Sequence, residues 1–144
     1  MQDDTIGTIY LEDLEVGMSR SLTKVIGDAE VRGFAEVSED RNPIHLDEAA
    51  GKASIFGGRI AHGMLVGSLF SAILGERMPG QGTIYMGQSL KFLAPVPVGS
   101  EVIATLTVRE IIAEKKRVIM DCEATVGGKT VIKGEAVVLA PSRG

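Results

Sequence analysis

The second half of the chain alternates apolar and polar residues with a period of two, the pattern of strands that bury one face. Over 101–109, Val102, Ala104, Leu106 and Val108 alternate with Glu101, Thr105, Thr107 and Arg109, and over 117–126 the set Val118, Met120, Cys122, Ala124 and Val126 does the same. The pair Gly127-Gly128 predicts a tight hairpin into a further strand over 130–139. Residues 83–92 read as another strand, followed by the turn-rich A-P-V-P-V-G-S, and an early strand is expected over 18–23.

Between the early strand and the later four, the period changes to that of helices. In D-A-E-V-R-G-F-A-E-V-S, residues Val31, Phe34, Ala35 and Ser38 share one face, and Asp28 is placed to accept from the free N–H groups of the first turn. Pro43 disfavours helix at Asn42, so 40–45 is expected to be extended or turned, with Asp47 restarting a short helix over E-A-A-G-K-A. From His62, the string G-M-L-V-G-S-L-F-S-A-I-L-G-E-R is apolar nearly all round, which predicts a long helix covered on most sides. Gly63, Gly67 and Ser71 form a narrow stripe of small residues that would let another backbone approach, and Met78-Pro79-Gly80 ends the segment. A strand, a helical middle and four strands imply an α+β fold in which an antiparallel sheet carries one long helix.

Composition sets the scale of this picture. A chain of 144 residues fits one domain, 1–144, and buries enough surface for a core without staples. Fifteen Lys and Arg stand against 19 Asp and Glu, scattered rather than striped, which argues against nucleic acid as a partner. The absence of Trp, with only four Phe and two Tyr, removes the stacking platforms that single strands require. Cys122 is the sole cysteine, so no intrachain disulfide forms and no metal-ligand spacing exists, which suits the cytoplasm. The stretch 60–75 is too short for a membrane span, and the N-terminus lacks the basic and apolar regions of a secretory signal.

The candidate chemistry is concentrated in S-E-D-R-N-P-I-H-L-D, 38–47, which holds one of only two histidines. Taken by itself this is either a solvated Asn-Pro turn or a water-activating site. Together with F-G-G-R-I-A-H-G-M at 56–64 and F-L-A-P-V-P-V-G at 92–99, the D-R-N-P-I-H element resembles the MaoC-like hot-dog family, specifically its single-domain (R)-specific enoyl-CoA hydratases. The one departure is Glu39, where that pattern carries glycine.

The resemblance implies a five-stranded antiparallel sheet wrapped around a long central helix, hydration of trans-2-enoyl-CoA to (R)-3-hydroxyacyl-CoA, and service in fatty acid metabolism or polyhydroxyalkanoate precursor supply. It implies no cofactor, coenzyme A being part of the substrate, no metal, and a homodimer whose sheets join. A hydratase needs a base for water, a proton source for the α-carbon and a donor for the thioester oxygen. His45 is placed to take a proton from the water, Asp40 to hold the same water and to orient or charge-stabilise the imidazole, and the Gly63 N–H at the start of the long helix to meet the thioester oxygen. Asn42 is expected to fix the loop. Arg59 is a candidate for the coenzyme A phosphates or for a surface or subunit contact, with Lys52 and Lys91 behind it, and Met64 is a candidate pocket wall or core residue. His62 reads as a packed or solvated helix start. Two other functions fit the same residues, a hot-dog thioesterase and a non-catalytic thioester-binding subunit, and an acyl-carrier-protein-linked dehydratase is a variant of the hydratase.

Overall fold

Every strand expected from alternation forms in the computed structural model, which describes residues 3–144. The order is β1 (Ser19–Ile26), α1 (Asp28–Ser38), α2 (Pro43–Leu46), α3 (Glu48–Ala53), α4 (Gly63–Glu76), β2 (Ile84–Phe92), β3 (Ser100–Ile112), β4 (Arg117–Val126) and β5 (Lys129–Leu139). All pairings are antiparallel and the strands lie in the order β1-β3-β4-β5-β2. Gly127 and Gly128 both adopt positive φ, 56° and 79°, which lets the β4–β5 connection close in two residues.

The alternation places its apolar set against α4. Val102, Ala104, Leu106, Val108, Val118, Met120, Cys122 and Ala124 are buried, and they pack with Val66, Phe70, Ile73 and Leu74 of the helix. Val126 is only half-buried because it sits where the strand turns into the hairpin. On the outer face Arg109 pairs with Asp121 and Glu135 across three strands. This is a hot-dog fold: one sheet wrapped on one apolar helix.

Three local expectations are corrected. Asp28 does not cap α1. Gly27 is the N-cap, its N–H donates to Glu30 at 3.0 Å, and the Asp28 carboxylate is occupied by Arg32 and Arg59. The segment 40–45, expected to be extended or turned, is helical from Pro43 onward, since Pro43 opens the single helical turn of α2, where its missing N–H costs nothing. The small-residue stripe of α4 meets side chains rather than a backbone. A Cβ on Gly67 would lie 2.9 Å from Leu90, and one on Gly63 would lie 2.5 Å from the Phe92 ring, while Ser71 is exposed.

Candidate active site

The D-R-N-P-I-H element is wound by its own short side chains. α1 stops at Ser38 because Glu39 turns into the left-handed region, φ 65° and ψ 11°. That is the helix-terminating position glycine fills most easily, which gives the Glu39 departure a backbone meaning, and Glu39 itself is exposed and outside the lining of the cavity that Asp40 borders. The Ser38 hydroxyl then accepts from the Asp40 N–H at 3.1 Å, Asp40 Oδ1 accepts from the Asn42 N–H at 3.2 Å, and Asn42 Oδ1 accepts from the Ile44 N–H at 3.2 Å. Asn42 is thereby the N-cap of α2 and holds the loop as expected.

The last turn of this staircase delivers His45 into the interior, 9% exposed. Its Nδ1 lies 2.7 Å from the Ile60 carbonyl oxygen. A carbonyl can only accept, so Nδ1 carries the proton and Nε2 is left with a free lone pair. The same turn is gripped from behind by Arg59, whose Nε donates to the His45 carbonyl at 2.7 Å and whose Nη2 donates to Asp28 at 2.7 Å. Its Nη1 lies 3.5 Å from Glu48. The hydrogen bond from Arg59, and then that from Arg32, hold the Asp28 carboxyl below its ordinary range.

The side chain of Arg59 is 9% exposed, and all three of its nitrogens face protein partners within the chain. It ties α1, α2 and α3 together behind the histidine. Lys52 and Lys91 are exposed and lie outside the cavity lining.

Asp40, His45 and Gly63 line a single cavity of about 470 Å³. Gly63 opens α4, so its N–H has no intrahelical acceptor and sits at the positive end of the helix dipole. The remaining walls are mostly apolar: Phe56, Ile60, Met64, Phe92, Leu93 and Pro95 among them. Met64 is thus wall rather than core, and largely exposed, whereas Leu65, Leu69 and Leu74 are buried.

His62 is the member of the site that the pattern of residues did not reveal. It is 2% exposed, its Nε2 lies 2.9 Å from the Asp40 carbonyl oxygen, and its ring stacks on His45 with centroids 3.9 Å apart and planes 27° apart. Phe34 of α1 lies 4.8 Å from the same ring. No local signal marks it, because its partners lie 17 and 22 residues earlier in the chain.

Ligand atoms of Asp40, His45 and His62 fall within 4.8 Å of one another. The stacked rings do not suit a metal ion. One ion cannot lie in both planes at a zinc–nitrogen distance of roughly 2.0–2.1 Å when those planes are only 27° apart. What the group suits is proton transfer: a basic nitrogen, a carboxylate and an unpaired N–H face one apolar cavity. Cys122 takes no part, since it lies in the core and burial pushes its thiol up to about 11.

Known proteins are similar to this chain along most of its length. The family model for the MaoC like domain matches residues 8–131. An (R)-specific enoyl-CoA hydratase of Rhodospirillum rubrum is 47% identical over 144 residues, covering 100% of both chains. A 3-hydroxybutyryl-CoA dehydratase of Methylorubrum extorquens is 46% identical over 135 residues, 94% of this chain and 86% of that one. Among solved structures, the unliganded R-hydratase PhaJ1 from Pseudomonas aeruginosa superposes with a TM-score of 0.90 at 43% identity, covering 94% of this chain and 88% of that one. A family match across most of the chain, relatives alike along nearly their full length and a shared hot-dog fold lead to one conclusion: the chain belongs to the MaoC-like family.

Proposed function

We propose that this protein catalyses the reversible (R)-specific hydration of a trans-2-enoyl-CoA to the (R)-3-hydroxyacyl-CoA. It acts in the cytoplasm and needs no cofactor beyond the coenzyme A that its substrate carries. One observation carries the reading: the Asp40 carboxylate, the free Nε2 of His45 and the N-terminus of α4 at Gly63 border the same cavity. The names borne by relatives of similar length support it.

The chemistry follows from where each group stands. A water between Asp40 and His45 gives a proton to His45 Nε2 as its oxygen bonds to C3. The C2–C3 π electrons move toward the thioester, and the negative charge that develops on the carbonyl oxygen is met by the Gly63 N–H. Asp40 holds the other hydrogen of the water and balances the charge on the imidazole. The proton on His45 then passes to C2. One O–H bond and the C2–C3 π bond are broken, a C–O and a C–H bond are made, and the same steps run backwards give dehydration. Asn42 fixes the loop that aims Asp40, and Met64 with the aromatic walls faces the acyl group.

With crotonyl-CoA, the absorbance of the conjugated enoyl thioester should fall while free thiol stays flat. Thiol release at a comparable rate would move the protein to the thioesterases. Silence in both signals across several chain lengths would leave only a binding subunit.

The working unit in this reading is a homodimer. β2 is an edge strand exposed along most of its length, with Ile84, Met86 and Phe92 open to solvent. Beside it α4 presents an uncovered row of Met64, Ser68, Ser71 and Gly75. Long apolar edges are rarely left unpaired, and a second copy of this chain covers both features by continuing the sheet. Light scattering should give twice the mass of the chain, and a stable monomer with full turnover would overturn the dimer.

A further inference from the structure

We infer that His62 is a positioning residue that sets the Asp40 carboxylate, the His45 ring and the Gly63 N–H in mutual register. The inference rests on the hydratase reading and assigns a task to a side chain outside its proton-transfer steps. Three contacts carry it. The Nε2–H of His62 donates to the main-chain oxygen of Asp40 at 2.9 Å, so the residue bearing the carboxylate is held through its backbone. The ring lies against that of His45 at 3.9 Å, which fixes the plane of the imidazole while Ile60 fixes its tautomer. The backbone of His62 is the N-cap of α4 and is bonded to Gly63, the residue with the unpaired N–H.

A helix-capping role alone does not account for these contacts. The side chain of His62 makes no capping hydrogen bond, although Ser, Thr, Asp or Asn at this position would make one. Its Nδ1 is buried with no partner, an arrangement that costs stability. His62 therefore caps poorly and buries an orphan nitrogen, while its remaining side-chain contacts run to Asp40, His45 and Phe34. Phe34 also packs on the His62 ring, with centroids 4.8 Å apart, so the ring is held by contacts to both α1 and α2.

Two substitutions separate positioning from packing. His62→Asn supplies the better N-cap but neither the stack nor the donor to Asp40. His62→Phe keeps an aromatic plane against His45 and Phe34 and removes only the donor. Both proteins should fold, and at a temperature well below their melting points both should lose kcat on crotonyl-CoA by about tenfold to a hundredfold with KM nearly unchanged, since small misplacements of reacting groups act on that scale. The native protein should show a slowly exchanging Nδ1 proton of His45 by NMR, and this signal should broaden or vanish in His62→Asn and persist in His62→Phe. Folded variants with kcat within about twofold of native, or a rise in KM alone, would overturn the inference. A native protein that does not hydrate crotonyl-CoA would overturn the hydratase reading instead, and the NMR comparison would still decide whether His62 holds the His45 ring.

Discussion

Asp40→Asn and His45→Gln should each lower turnover of crotonyl-CoA by about 10²–10⁴-fold, the range of general acid–base catalysis, and the double variant should fall little below the worse single. Two groups that grip one water fail together, because removing either leaves the other without its task. The fold should survive all three changes. Asp40 is exposed, and its main bond within the loop, from the Asn42 N–H to Oδ1, can be taken over by an asparagine oxygen. His45 is buried, but a glutamine amide can donate to the Ile60 carbonyl in place of Nδ1–H, so the expected stability loss is about 1 kcal/mol, the scale of one hydrogen bond. Circular dichroism checks the fold. Two small, additive losses would return D-R-N-P-I-H to the status of a connecting turn.

Gly63→Pro should cost about 10²–10³-fold in turnover, the loss that follows removal of one donor to a developing oxyanion. Proline suits this position otherwise. The Gly63 N–H has no intrahelical acceptor to lose, and His62 already holds the extended conformation, φ −60° and ψ 132°, that a residue before proline prefers. A Cβ here meets the Phe92 ring, half-exposed at the mouth of the cavity and able to give way. Gly63→Ala adds that Cβ and keeps the N–H, so it measures the crowding alone and should cost far less than proline. Equal losses in the two variants would assign the effect to Phe92, and near-normal turnover in a folded Gly63→Pro would move the donor elsewhere.

Much of this molecule was legible in the order of its residues. The alternation over 101–109 and 117–126 told which side chains enter the core, because a strand's two faces are set by a period of two whatever it packs against. Asp47 and the run from Gly63 announced their helices, because a cap and a nearly all-apolar surface act within a few residues of themselves. The Asp40–His45 element was readable for the same reason: its turn is closed by Ser38, Asp40 and Asn42, each bonding a backbone N–H two residues on.

What only the tertiary structure decided is everything that depends on partners distant in the chain. Arg59 looked free for a phosphate until the fold set Asp28 and the His45 carbonyl within 2.7 Å of its guanidinium. Gly63 and Gly67 looked ready for a backbone, and the β2–β5 pairing brought the side chains of Phe92 and Leu90 there instead. His62 looked like a helix start until α4 packed on the sheet and carried its ring onto His45, 17 residues earlier. Sequence by itself determined which segments become strands and helices, and where the reactive side chains stand on them, since those outcomes arise from periodicity and local hydrogen bonding. Which of those side chains meet was decided by the packing of α4 against the sheet, a sum of contacts over the whole core that no window of neighbouring residues contains.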